Sequence, residues 1–126
     1  MDAAKTIPPS QWSIAHEPAT NTVATISRPA VAGQKHWVTS IAASIVGDVA
    51  ASSIVFVRLR DSTTGAGNII WSAALRGTVT SGNQIMVDGL NIEGISGQAV
   101  TLEFSGAGGA GTQESVAMTG YTTSRF

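Results

Sequence analysis

Two histidines, eight carboxylates and one glycine run are the parts of this 126-residue chain whose residue types could do chemistry. Acyl-transfer chemistry needs a nucleophile, a histidine base and an acid that orients it. Serines are abundant, so they single out no nucleophile. His16 lies beside Glu17 in a proline-rich stretch, a poor place for a preorganised site, and His36 opens a strand beside Trp37. Both read as surface or interface residues. The carboxylates are Asp2, Glu17, Asp48, Asp61, Asp88, Glu93, Glu103 and Glu114, and no two share a strand at i, i+2, where they would point together. A glycosidase pair assembled from separate strands stays open at this level. The stretch Asp61-Ser-Thr-Thr-Gly65 offers one acid where a calcium loop alternates several. There is no Cys, hence no disulfide and no thiolate zinc site. Gly106–Gly111 (GAGGAG) satisfies the spacing G-x-G-x-x-G, but that pattern holds a pyrophosphate only where a helix N-terminus follows, and residues 112–123 read as a strand. The run is expected to be a hairpin tip. No catalytic residue, cofactor or metal is assigned, and the chain is expected not to be an enzyme.

Trp12, Trp37, Trp71 and Tyr121 are the residues for a sugar-stacking platform, yet alternation puts Trp37 and Trp71 on inward faces. Trp12 is the exception. It lies in residues 1–20, which hold three of the four prolines, Pro8, Pro9 and Pro18. Proline is poorly placed inside helices and central strands. The segment therefore reads as an extended arm over 1–20, followed by a folded domain over 21–126. Ile7, Pro8, Pro9, Trp12 and Ile14 are its expected assembly contacts, with Trp12 as anchor.

The rest reads as short strands between Gly, Asn, Asp and Ser: Thr22–Ser27, Lys35–Val46, Ile54–Asp61, Asn68–Arg76, a short hairpin or a bulged strand across Val79, Ser81-Gly82-Asn83 and Gln84–Val87, Leu90–Ile92 with Ile95, Ala99–Ser105 and Ser115–Thr123. This predicts an all-β antiparallel sandwich or jelly roll of seven or eight strands with an extended N-terminal arm. Its expected core is Trp37, Ile41, Val55, Val57, Leu59, Ile69, Trp71, Val100, Leu102, Phe104, Val116 and Met118. Thr101, Glu103 and Ser105 are expected to face out.

Charged residues make up 12% of the chain, with a formal net charge of −1, about half the usual share. A surface covered by Ser, Thr, Gly and Ala does little to hold molecules apart, so a homo-oligomer, dimer or trimer, is expected. The seven Lys and Arg are dispersed, which argues against nucleic acid as a partner. No apolar run approaches the ~20 residues of a membrane helix, and none follows Met1–Lys5 as an export signal would. Neither a membrane partner nor standard export is expected.

The run Ala24–Ser40 (ATISRPAVAGQKHWVTS), with the late Gly120-Tyr-Thr-Thr123, resembles small structural proteins encoded among the head genes of tailed bacteriophages. The class it is most similar to is the jelly-roll capsid decoration, or cement, proteins. The resemblance covers most of residues 20–124, contains no diagnostic motif and carries over no functional residue. It implies a virion location on the outer capsid surface after synthesis in the host cytoplasm, with the major capsid protein and further copies of the chain as partners. The alternative is a carbohydrate- or receptor-binding β-sandwich module of a phage tail or fibre.

Overall fold

A computed structural model describes residues 10–47, 54–76, 82–109 and 111–124. Nine strands occur among the described residues: β1 (Gln11–His16), β2 (Thr25–Arg28), β3 (Lys35–Val46), β4 (Ile54–Arg60), β5 (Ile69–Arg76), β6 (Asn83–Val87), β7 (Ile92–Glu93), β8 (Val100–Phe104) and β9 (Gln113–Thr123). One sheet runs β1-β9-β3-β6, with β7 also on β3, and the other runs β2-β8-β4-β5. Every pairing is antiparallel. With the two-residue β7 set aside, the pairs β1·β9, β2·β8, β3·β6 and β4·β5 are those of a hairpin wound into a jelly roll. The expected fold class is the one observed.

β9 shows why these residues make strands. It alternates without interruption, with Glu114, Val116, Met118, Gly120 and Thr122 turned inward, the period of a half-buried strand. Between the sheets lie Ile41, Ile45, Val57, Leu59, Val100, Leu102, Phe104, Val116 and Met118, all buried.

Four expectations are corrected. The first is the arm. Gln11–His16 pairs along its whole length with His16 opposite Val116 and Gln11 opposite Tyr121, so it is the edge strand of the five-stranded sheet. Trp12 is buried in the sandwich core and Ile14 packs on it. The prolines bracket this strand instead of preventing it. Ile7, Pro8 and Pro9 lie outside the described residues.

The second is Trp37, which faces out. The ladder between β3 and β9 shifts register between Val38 and Ser40. This bulge puts His36 and Val38 inside with Ile41, Ala43 and Ile45, and reverses the phase of everything before Thr39. The third is Ile69, which is exposed because a second irregularity beside Arg60 lets Ile70 pack inward in its place. Trp71 is partly buried against the core, as expected.

The fourth concerns β8, where Thr101 and Glu103 are buried as deeply as their neighbours. Both contact the β4–β5 loop. Thr101 donates to the Ser62 carbonyl at 2.8 Å, and Glu103 accepts from Arg60 Nε at 2.8 Å and from the Gly65 amide at 3.1 Å.

Gly120 sits where β9 passes between Trp12 and the Trp37 carbonyl. A methyl group there would stand 2.6 Å from the Trp12 ring and closer still to the carbonyl oxygen of Trp37. Backbone cannot retreat as a side-chain tip can. Gly120→Ala is expected to destabilise the fold by about 2–3 kcal/mol, in the upper range for overpacking, read as a lowered urea midpoint with an unchanged slope.

Candidate functional site

Cross-strand pairing builds the outer face of the five-stranded sheet in level rows. One row is Ala15, Ala117, Ala42 and Met86, and the next is Ser13, Thr119 and Ser40. Three alanines level with one another leave the backbone close to the surface. Met86 at the edge is 80% exposed. Ser40, Ala42, Met86, Asp88, Ala117 and Thr119 line a groove of about 390 Å³ on this face. The hydroxyls of Thr39 and Ser40 both bond that of Thr119.

The third row is Gln11, Tyr121, Trp37 and Glu93. Trp37 and Tyr121 stack with centroids 6.0 Å apart and planes 4° from parallel. Trp37 Nε1 donates to Thr123 Oγ1 at 3.2 Å, and the Tyr121 hydroxyl donates to Asn91 Oδ1 at 3.3 Å. Lys35 lies over the Trp37 ring, 5.6 Å from its centroid, and pairs with Glu93. The bulge at Thr39 brings this stack to the surface. Alternation read without the bulge places Trp37 inside, and the sequence carries no signal for it.

Beneath the stack the same strands bury a polar chain. Trp12 Nε1 donates to Thr122 Oγ1 at 3.0 Å, His36 Nδ1 lies 2.7 Å from the same oxygen, and His36 Nε2 lies 2.8 Å from the Pro29 carbonyl. One assignment satisfies every atom: Thr122 accepts from Trp12 and donates to Nδ1, and Nε2–H donates to Pro29. His36, expected at a surface or interface, is thus buried, neutral and fully engaged, because the bulge at Thr39 turns it inward. Burial, with the nearby Arg28 charge adding to it, lowers its pKa below the ordinary value, against the opposing pull of the Pro29 carbonyl. His16 accepts the Thr25 amide at Nδ1, at 3.2 Å.

The buried carboxylates serve structure. Asp61 accepts the Asn68 amide at 2.7 Å and shapes the loop in which calcium was considered. Glu103 holds Arg60 and Gly65. No group of three His, Cys, Asp or Glu suited to a metal occurs among the described residues. The glycine run, expected as a hairpin tip, instead joins β8 of one sheet to β9 of the other, with Gly108, Gly109 and Gly111 at positive φ, and β9 follows it where a dinucleotide site would need a helix.

Glu114 is the unexpected group. It is fully buried, Oε1 accepts the Ala24 amide at 2.9 Å, and Oε2 has no partner among the described residues. Burial pushes its pKa up to about 7, against the opposing effect of the Ala24 amide. A protonated carboxyl suits a site with one donor nearby.

No family model matches the chain, and no curated protein matches it. Several solved structures are similar to it at low identity. A structure described as "CBM4 structure and function" is 10% identical, with 93% of this chain and 74% of that chain covered and a TM-score of 0.47. The Tobacco streak virus coat protein is 6% identical, with 92% and 89% covered and a TM-score of 0.40. An arabinose-bound GH51 α-L-arabinofuranosidase is 17% identical, with 86% and 23% covered and a TM-score of 0.37.

Two of the buried titratable groups, Glu114 and His36, bend stability in opposite directions. The folded pKa of Glu114 lies above its ordinary 4.5, so its contribution is fully present below that value and is lost as pH rises through about 7. The loss approaches about 3 kcal/mol. His36 has a folded pKa below its ordinary 6.5, so stability is lost as pH falls below that value. Glu114→Gln keeps an acceptor for the Ala24 amide and removes the proton equilibrium. Thermal melts across pH 5–8 are expected to show the variant gaining on the parent chain at pH 8 and matching it near pH 5.

Proposed function

We propose that this chain is a non-enzymatic virion structural protein of a tailed bacteriophage, a capsid decoration protein that seats on the outer surface of the head. The observation that carries the reading is the outer face of the five-stranded sheet, where Ser40, Ala42, Ala117 and Thr119 line one groove with the exposed Met86 and a single charged residue, Asp88. The strands β1, β3, β6, β7 and β9, with 6, 12, 5, 2 and 11 residues, at ~3.3 Å rise and ~4.8 Å spacing make a face of roughly 570 Å². That is about two thirds of what one partner contributes to a standard interface. Small side chains let a partner's backbone come close, and a low charge leaves little to desolvate. The histidines and buried carboxylates are committed to internal bonds, which suits a protein that binds without reacting. The proposed partners are the major capsid protein and further copies of the chain.

Phage heads assembled from a major capsid protein and lacking decoration supply the assay. The chain is expected to co-sediment with them. Ala42→Arg with Met86→Glu, both on the exposed face, is expected to abolish binding while the melting temperature stays within a few degrees. Full binding by that folded double variant overturns the assignment of the face.

The Trp37–Tyr121 stack favours a second reading, a glycan-binding module of a tail or fibre. The pair is partly buried and is surrounded by Gln11, Asn91 and the Lys35–Glu93 pair, which can hydrogen-bond sugar hydroxyls. On that reading a glycan array gives hits that Trp37→Ala removes, and heads are not bound.

A further inference from the structure

The strands at the sides of the sandwich are guarded unequally. β2 has four residues, ends before Pro29, and has its Thr25 amide held by His16. β1 lies between Pro9 and Pro18, and β6 and β7 are short and separated by an Asp88-Gly89 turn. β5 is different. It runs eight residues, IIWSAALR, with no proline and no charge before its last position. Sheets usually protect such an edge with charge, proline or a bulge, because an open edge pairs with another strand.

Hydrogen bonds show which groups β5 leaves open. The Phe56 amide donates to Ser105 Oγ at 2.9 Å and the Ser105 amide donates to the Phe56 carbonyl at 2.7 Å, so the Phe56 backbone faces β8. Backbone groups alternate sides along a strand. Val55, Val57 and Leu59 therefore face β5, where they stand opposite Leu75, Ala73 and Trp71. Ser72 and Ala74, in the other phase, direct their N–H and C=O groups away from β4. Arg76 shares that phase, and its amide is held by Asn83 Oδ1 at 2.8 Å, which closes the stretch. No hydrogen bond to the outward backbone groups of Ser72 or Ala74 occurs among the described residues. Both side chains are small and exposed. Beside them on the outer face stand Ile54 and Phe56, 55% and 40% exposed.

We propose that β5 is a self-pairing edge: two copies of this chain join β5 to β5 antiparallel, about a two-fold axis at Ala73, and merge their four-stranded sheets into one continuous sheet. A second copy is the occupant because an antiparallel edge complements itself. Ser72 of one copy lies opposite Ala74 of the other, and each pair exchanges N–H···O bonds in both directions. The same register sets Arg76 opposite Ile70 of the other copy, so the two Arg76 charges stay apart. This deepens the self-association in the proposed function and rests on that part of it. It uses the strand edge and leaves the five-stranded face free.

The test is sedimentation velocity of the full chain over a concentration series, with hydrogen exchange of the Ser72 and Ala74 amides at its dilute and concentrated ends. A dimer is expected, with both amides protected only when concentrated. Ala74→Pro removes an amide that the parent sheet does not use, and Ser72→Lys with Ala74→Lys adds charge at the edge. Each is expected to weaken dimerisation by more than about tenfold with an unchanged melt in dilute solution. The lysine variant decides the matter if the proline variant fails to fold. A chain monomeric throughout, a dimer that survives the folded variants, or amides indifferent to concentration overturns the proposal. Head co-sedimentation is measured separately: a monomer that still binds heads defeats the edge pairing alone, and a dimer that ignores heads defeats the decoration reading alone.

Discussion

One extra residue in β3, at Thr39, decides which way the first part of that strand faces. β3 and β9 form the longest ladder in the molecule, and the register slip between Val38 and Ser40 is its one irregularity. A single-residue slip exchanges the two faces of a strand. With the slip, His36 points inward onto Thr122 and Trp37 points outward onto Tyr121. Without it, Trp37 would enter the space that Trp12 fills above Gly120, and His36 would lose both partners. The aromatic stack outside and the hydrogen-bonded chain inside are thus two consequences of one bulge.

The interior polar groups divide by how completely they are satisfied. Trp12, Thr122, His36 and Pro29 form a chain in which each donor has an acceptor. Such a chain fixes a single arrangement, because any shift leaves a buried group unpaired. The Arg28 guanidinium lies over the Trp12 ring, 5.6 Å from its centroid, and so links β2 to β1 across the two sheets. Glu114 differs, with one oxygen partnered and one not. It survives there by holding its proton, which makes that end of the sandwich sensitive to alkali while the His36 end is sensitive to acid.

The fold was legible because strands such as β3, β4 and β9 alternate over most of their length and no long helical period alternates with them. β3 begins and ends where its pattern does, at Lys35 and Val46. The misreadings share a cause, since alternation predicts faces only while the register holds. The bulges beside Thr39 and Arg60 break the phase, and nothing in the residue types near them announces it. Thr101 and Glu103 were misread for another reason. Their strand alternates cleanly, but the loop from Asp61 to Asn68 folds over its outer side and buries both. Contact between segments forty residues apart is invisible to a local pattern. The arm was misread because prolines were weighed as breakers of a strand, when they flank it. The outer-face site was the least legible part, because it is a property of rows. Ala15, Ala117, Ala42 and Met86 come from four separate strands and are level only after the register is known.

Low charge links the two proposed surfaces. On the five-stranded face it leaves a broad, shallow area that small side chains let a partner approach. At β5 it leaves an edge with no repelling group between Ile69 and Leu75. These demand different partners. A face covered by side chains is read by shape and burial, whereas an edge is read by backbone hydrogen bonds and accepts a strand. The face and the edge belong to different sheets of the sandwich, so occupation of one leaves the other accessible. A protein built this way can pair with itself through one sheet and present the other, twice over, to a larger surface. Two linked faces bind a repeating lattice more tightly than one, because the second attachment is intramolecular. Modest contacts on a small neutral sheet then suffice where a single copy would dissociate.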